Sequence, residues 1–142
     1  MKNYQQTILR YLTIILFLLF PLMNVVYAQE LRPQGSVHDA EIVSISSQDS
    51  VTLDSTLVIT IRAENKGRYV EEAIVSLIDS ASGDTIENWY PLLPPESADS
   101  TMMFWNTKGS KAGNHTLKAV LVIPVDSNLA DNEHKHNVTV KP

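Results

Sequence analysis

The densest group of metal-type ligands in the chain is Asp126, Asn128, Asp131, Asn132 and Glu133, oxygen-bearing side chains crowded into one short stretch. Hard oxygen donors gathered in a loop are what calcium prefers, so Asp126, Asn128, Asp131 and Asn132 are the candidate metal ligands. The spacing is not that of an EF-hand, and the glycine of its sharp turn is missing. The same residue types also build Asx-turns, in which a side-chain oxygen accepts from a nearby backbone N–H, and that reading stands beside the first. His134 and His136 are two apart and share a face if they lie on a strand; with His115 they could offer imidazoles to zinc or copper, or simply pack at a strand edge.

Other chemistry is poorly provided for. The chain has no cysteine, no Gly-x-Ser-x-Gly elbow and no glycine-rich phosphate loop. Glu71 and Glu72 are adjacent, which on a strand sends them to opposite faces, so they cannot share a substrate. The expectation is a protein that is not an enzyme and needs no cofactor. Trp89, Tyr90 and Phe104, with Met102, are the candidate interaction residues if they face outward; the rival reading has Trp89 capping the core. Asn114-His-Thr116 and Asn137-Val-Thr139 match glycosylation acceptors by pattern alone.

The N-terminus bounds where the chain works. Lys2 and Arg10 precede an apolar run from Tyr11 to Met23, interrupted by Thr13 and Pro21, and Val26 and Ala28 stand where a signal peptidase expects small residues. Residues 1–28 therefore read as a signal peptide, with an uncleaved anchor over Ile8 to Ala28 as the alternative. The whole chain carries a net charge of −5, and Lys2 and Arg10 are the only charges before Glu30, so removal of that segment leaves −7. Scattered single cations such as Arg62, Lys66, Lys108 and Lys118 in an acidic chain argue against nucleic acid. What remains has the size of one domain and no disulfide, so burial of apolar surface must hold it.

Those side chains must be positioned by strands. Residues 29–38 contain Pro33 and Gly35 without apolar periodicity and read as a flexible lead; residues 39–142 read as the folded domain. Within it, Leu57, Ile59, Ile61 and Ala63 alternate with Val58, Thr60, Arg62 and Glu64, the period-two signature of a strand with one buried face. Further strands are expected over 40–46, 73–79, 85–90, 101–106, 116–123 and 135–141. Asn65-Lys-Gly67 is expected to stop the second strand through positive φ, and Pro94 to Asp99 to be a loop or a sheet crossover rather than a strand interior. Met102-Met-Phe-Trp105 loses the alternation; Met103 and Trp105 are taken as the inward pair. About seven short strands with turn signals between them predict an all-β, antiparallel β-sandwich.

Taken in order, Asp39-Ala-Glu-Ile-Val43, Val58-Ile-Thr-Ile-Arg-Ala-Glu-Asn-Lys-Gly67, Ala73-Ile-Val-Ser-Leu-Ile-Asp79, Leu92-Leu-Pro-Pro-Glu-Ser97, Trp105, Ala119-Val-Leu-Val, and Asp126, Asn128 and Asp131-Asn132 resemble the CARDB domain. This is a cell-adhesion-related module of bacteria and archaea. The glycine usual after the prolines is replaced around Glu96 to Ala98. The resemblance implies an immunoglobulin-like or fibronectin-III-like sandwich, and the signal-peptide pattern places it in the periplasm, the medium or at the cell surface. It further implies a binding or adhesion module for a protein or carbohydrate partner, with no catalytic residues to carry over. A metal-binding domain and a passive spacer are the alternatives.

Overall fold

The computed structural model describes residues 37–142, so the expected signal peptide over residues 1–28 and most of the lead lie outside the described residues. Ten strands follow one another: β1 (Ala40–Ser46), β2 (Ser50–Thr52), β3 (Thr56–Asn65), β4 (Glu71–Glu72), β5 (Ile74–Asp79), β6 (Thr85–Trp89), β7 (Leu92–Leu93), β8 (Ser97–Asn106), β9 (Gly113–Val122) and β10 (Glu133–Lys141). A 3-10 turn, Leu129–Asp131, precedes β10. The strands form a three-stranded sheet in the order β1-β3-β8, a five-stranded sheet in the order β2-β10-β9-β5-β6, and a two-stranded ladder of β4 and β7. Every pairing is antiparallel except that of β2 with β10. Among the described residues no helix is long and apolar enough to cross a membrane.

Alternation decides which faces meet. In β3 the buried side chains are Leu57, Ile59, Ile61 and Ala63. Met103 and Trp105 of β8 are buried in register with Ile59 and Leu57, while Met102 and Phe104 face out. The larger sheet contributes Val75, Leu77, Leu117, Ala119, Leu121, Val138 and Val140 to the same apolar cluster. Burying one such aliphatic side chain is worth roughly 1.5–3 kcal/mol, and with no disulfide in the chain this cluster is the main stabilising term.

Four expectations need correction. β8 begins at Ser97 and β9 at Gly113, because their partners β3 and β10 carry the ladders past the apolar stretch, pairing Asn65 with Ser97 and Val140 with Gly113. The short strands β2, β4 and β7 have too few residues to show a period and owe their existence to their neighbours. Gly67 is not among the glycines with positive φ. It is required by close approach instead: a Cβ there would lie 2.9 Å from the Val37 carbonyl oxygen and 3.0 Å from the Asp39 nitrogen. Its neighbour Asn65 is fully buried; its amide donates to the Tyr69 and Leu93 carbonyls at 2.7 and 2.8 Å and its oxygen accepts from the Gly67 N–H. Val37 and His38, placed by the sequence in the lead, are already tied down, since Arg68 donates to the Val37 carbonyl and Ser127 to that of His38.

Candidate functional site

Among the described residues, chemistry-bearing side chains come together in several places, three of which involve residues singled out by the sequence. The first is the start of β9. His115 is 6 % exposed, and its Nδ1 lies 2.9 Å from Asp79 Oδ2 of β5 while its Nε2 lies 2.7 Å from the Lys111 carbonyl. Both partners accept, so the doubly protonated ring is the form that satisfies both contacts. Burial, the largest single influence, pulls its pKa down; the hydrogen bonds to Lys111 and Asp79 and the charge of Asp79 outweigh it and hold the pKa above the ordinary 6.5. Asp79 is completed by the Ala81 N–H at 3.0 Å, and Trp105 meets the His115 ring edge-on at 5.1 Å. With both nitrogens committed, His115 offers no lone pair to a metal. His134 is exposed and His136 half-buried on β10, and among the described residues no three His, Asp or Glu side chains group as metal ligands.

The His115 centre is the floor of a cleft of about 750 Å³, walled by the β5–β6 turn, by Phe104 and by the Lys108–Gly113 loop. Phe104 is also the link to the second place, the outer face of the small sheet. There Val58 lies opposite Phe104 in the ladder and Thr60 opposite Met102, so Val58, Met102 and Phe104 form an exposed apolar patch. The Phe104 N–H at the outer edge of β8 is held by Glu87 Oε2 of β6 at 2.7 Å. Of the expected interaction residues, Phe104 and Tyr90 are exposed, whereas Trp89 is partly buried and packs on the core. Val58 was not singled out in the sequence because it occupies an ordinary outward position of β3, and only the register makes it a neighbour of Phe104.

The third place is the segment before β10. Asp126 Oδ1 accepts from the Asn128 N–H, Asp126 Oδ2 from the Asn132 amide at 2.9 Å, and Asp131 Oδ2 from the Asn128 amide at 2.6 Å. Asp126 and Asn128 therefore spend their oxygens inside an Asx-type network, Asn128 capping the 3-10 turn. Asp131 also faces Asp39 and Glu41 at the start of β1; burial first, then those two charges, raise its pKa above the ordinary 3.8 against the opposing pull of Lys66. Lys66 is bonded to Glu41 and lies 3.9 Å from Asp131 Oδ2. Asp39 Oδ1, Asp131 Oδ1 and Asn132 Oδ1 are enclosed with no hydrogen-bond donor. An enclosed acceptor left without a partner costs about 1–3 kcal/mol.

The outer face of the large sheet is a solvated ladder. Thr116 donates to Asn137 at 2.9 Å and Thr139 to Asn114 at 3.0 Å, so the two glycosylation-like triplets pair with each other across β9 and β10. Lys118 and Lys135 flank Glu133 beside them.

No family model and no curated protein matches the sequence. Solved structures do match in fold. The CARDB domain of a Pyrococcus furiosus protein, determined in complex with di-metal ions, superimposes with a TM-score of 0.64 at 18 % identity, covering 77 % of this chain and 93 % of that one. A domain from Methanosarcina acetivorans, residues 272–376 of a protein designated a candidate cell-surface protein, gives 0.58 at 21 % identity over 73 % of this chain and 92 % of that one. A Listeria innocua β-glucosidase in complex with glucose gives 0.55 at 12 % identity, over 74 % of this chain but only 16 % of that chain. The chain thus has the all-β fold of CARDB domains, and the same fold recurs as a small part of a larger protein.

Proposed function

We propose that this chain is an exported, non-enzymatic interaction or adhesion module, an immunoglobulin- or fibronectin-III-like sandwich that binds a protein or carbohydrate partner at the cell surface or envelope. The observation that carries the reading is the apolar patch of Val58, Met102 and Phe104, continuous through Phe104 with the cleft over His115. An aromatic ring at the mouth of a cleft rimmed by lysines, serines and asparagines suits a ligand that stacks one face and hydrogen-bonds at its edges. Support for the location comes from the signal-peptide pattern of residues 1–28 and from the cell-surface designation of one structural relative.

The test is capture of partners from envelope extract, and of sugars on a glycan array, by the protein and by Phe104→Ala. A central aromatic contact is worth about 2 kcal/mol or more, so affinity should fall roughly 30-fold while the fold is unaffected. Capture that is indifferent to Phe104→Ala moves the contact elsewhere, and the absence of any captured ligand favours the spacer.

A further inference from the structure

We propose that Asp39, Asp131 and Asn132 form a divalent-cation site of calcium type at the seam between the start of β1 and the turn before β10. The inference is independent of the interaction surface, which lies on Phe104 and its neighbours.

Three oxygens at this seam are enclosed and have no donor: Asp39 Oδ1, Asp131 Oδ1 and Asn132 Oδ1. Asp39 and Asn132 are 7 % and 6 % exposed, so bulk water does not reach them as it reaches a surface carboxylate. The orientation of Asn132 is settled by its partner, since its amide nitrogen donates to Asp126 Oδ2 and a flipped amide would set oxygen against oxygen. Its carbonyl oxygen is thereby turned away from the Asx network and left over.

Charge points the same way. Asp39 and Glu41 face Asp131 across the seam, and among the described residues the cation beside them, Lys66, is bonded to Glu41 and stands 3.9 Å from the other oxygen of Asp131. Lys66 thus answers one carboxylate and part of a second, and reaches none of the three orphaned oxygens. A water molecule would supply donors to them without relieving the excess negative charge. A divalent cation does both, and two carboxylates with an amide carbonyl are the hard oxygen set that calcium takes, water filling the remaining positions. Two carboxylates make a weak site, in the range of roughly 10⁻⁴–10⁻³ M found in extracellular modules.

The experiment is a calcium titration of the purified protein by calorimetry and by thermal melting, with magnesium as control. The wild type should bind one calcium in the stated range and melt higher with it, with little response to magnesium. Asp39→Asn should lose the response. Lys66→Met, which keeps the length of the side chain and removes the resident charge, should bind calcium several-fold more tightly; this variant tests the site even if Asp39→Asn fails to fold. No calcium response up to about 10 mM in wild type and Lys66→Met overturns the proposal. So does a response that survives Asp39→Asn and disappears in Asp126→Asn, which would place the ion in the Asx network instead.

Discussion

The two ends of β9 treat buried charge in opposite ways. At its start, His115 and Asp79 sit deep against Trp105 with their polar atoms matched: carboxylate to one ring nitrogen, backbone carbonyl to the other, and a backbone N–H on the second carboxylate oxygen. At its far end, Leu121 donates to the Asn132 carbonyl, and beside it three carboxylates share one lysine while three oxygens go without a donor. Equal burial therefore carries different meanings. A complete pair reads as structure holding a loop and a turn together. An incomplete one reads as a place where something outside the chain is needed.

The largest effect should come from breaking the complete pair. His115→Ala leaves Asp79 buried with only the Ala81 N–H, and loss of one member of such a pair costs about 3–5 kcal/mol, readable as a lower midpoint in urea. The pH dependence checks the charge state. Because the pKa of His115 is raised in the folded protein, its contribution is full below 6.5 and is lost as pH rises through the folded value. Wild-type stability should thus fall across that window and the variant's should not.

Asp131→Asn should do the reverse of His115→Ala at the other end, stabilising the calcium-free protein by about 1 kcal/mol while abolishing its calcium response. The sign follows from the raised pKa: charging Asp131 costs the folded state stability as pH rises from 3.8 through the folded value, and the amide removes that cost. If the variant is instead less stable, the acidic seam is held together better than its orphaned oxygens indicate.

The smallest effect concerns the residue that enters β8. Glu96 has φ 53°, the left-handed region that a side chain disfavours by roughly 1–2 kcal/mol. Glycine there gains back about 0.5–1 kcal/mol after its own entropy cost, a rise in melting temperature that should appear with or without calcium. It lies in the stretch, Glu96 to Ala98, where the resemblance to CARDB domains lacks the usual glycine.

Read from the chain alone, the strand faces were accessible wherever alternation is long and uninterrupted. Leu57, Ile59, Ile61 and Ala63, then Leu117, Ala119, Leu121 and Ile123, announce a buried face because every second side chain of a strand points the same way whatever the partner. The apolar nature of the core and the absence of any disulfide follow from composition in the same direct manner. Partnership was not accessible. Asp126 to Asn132 reads in the sequence as a self-contained ligand set, yet Asp126 is satisfied by Asn128 and Asn132, and the enclosed acceptors left without a donor include one outside that stretch, on Asp39 at the beginning of the fold. His115 looked like a possible metal ligand until Asp79 and Lys111 took both of its nitrogens. The period of a strand is a property of neighbouring residues. Which acceptor meets which donor depends on strand order and register, and those exist only once distant segments have packed.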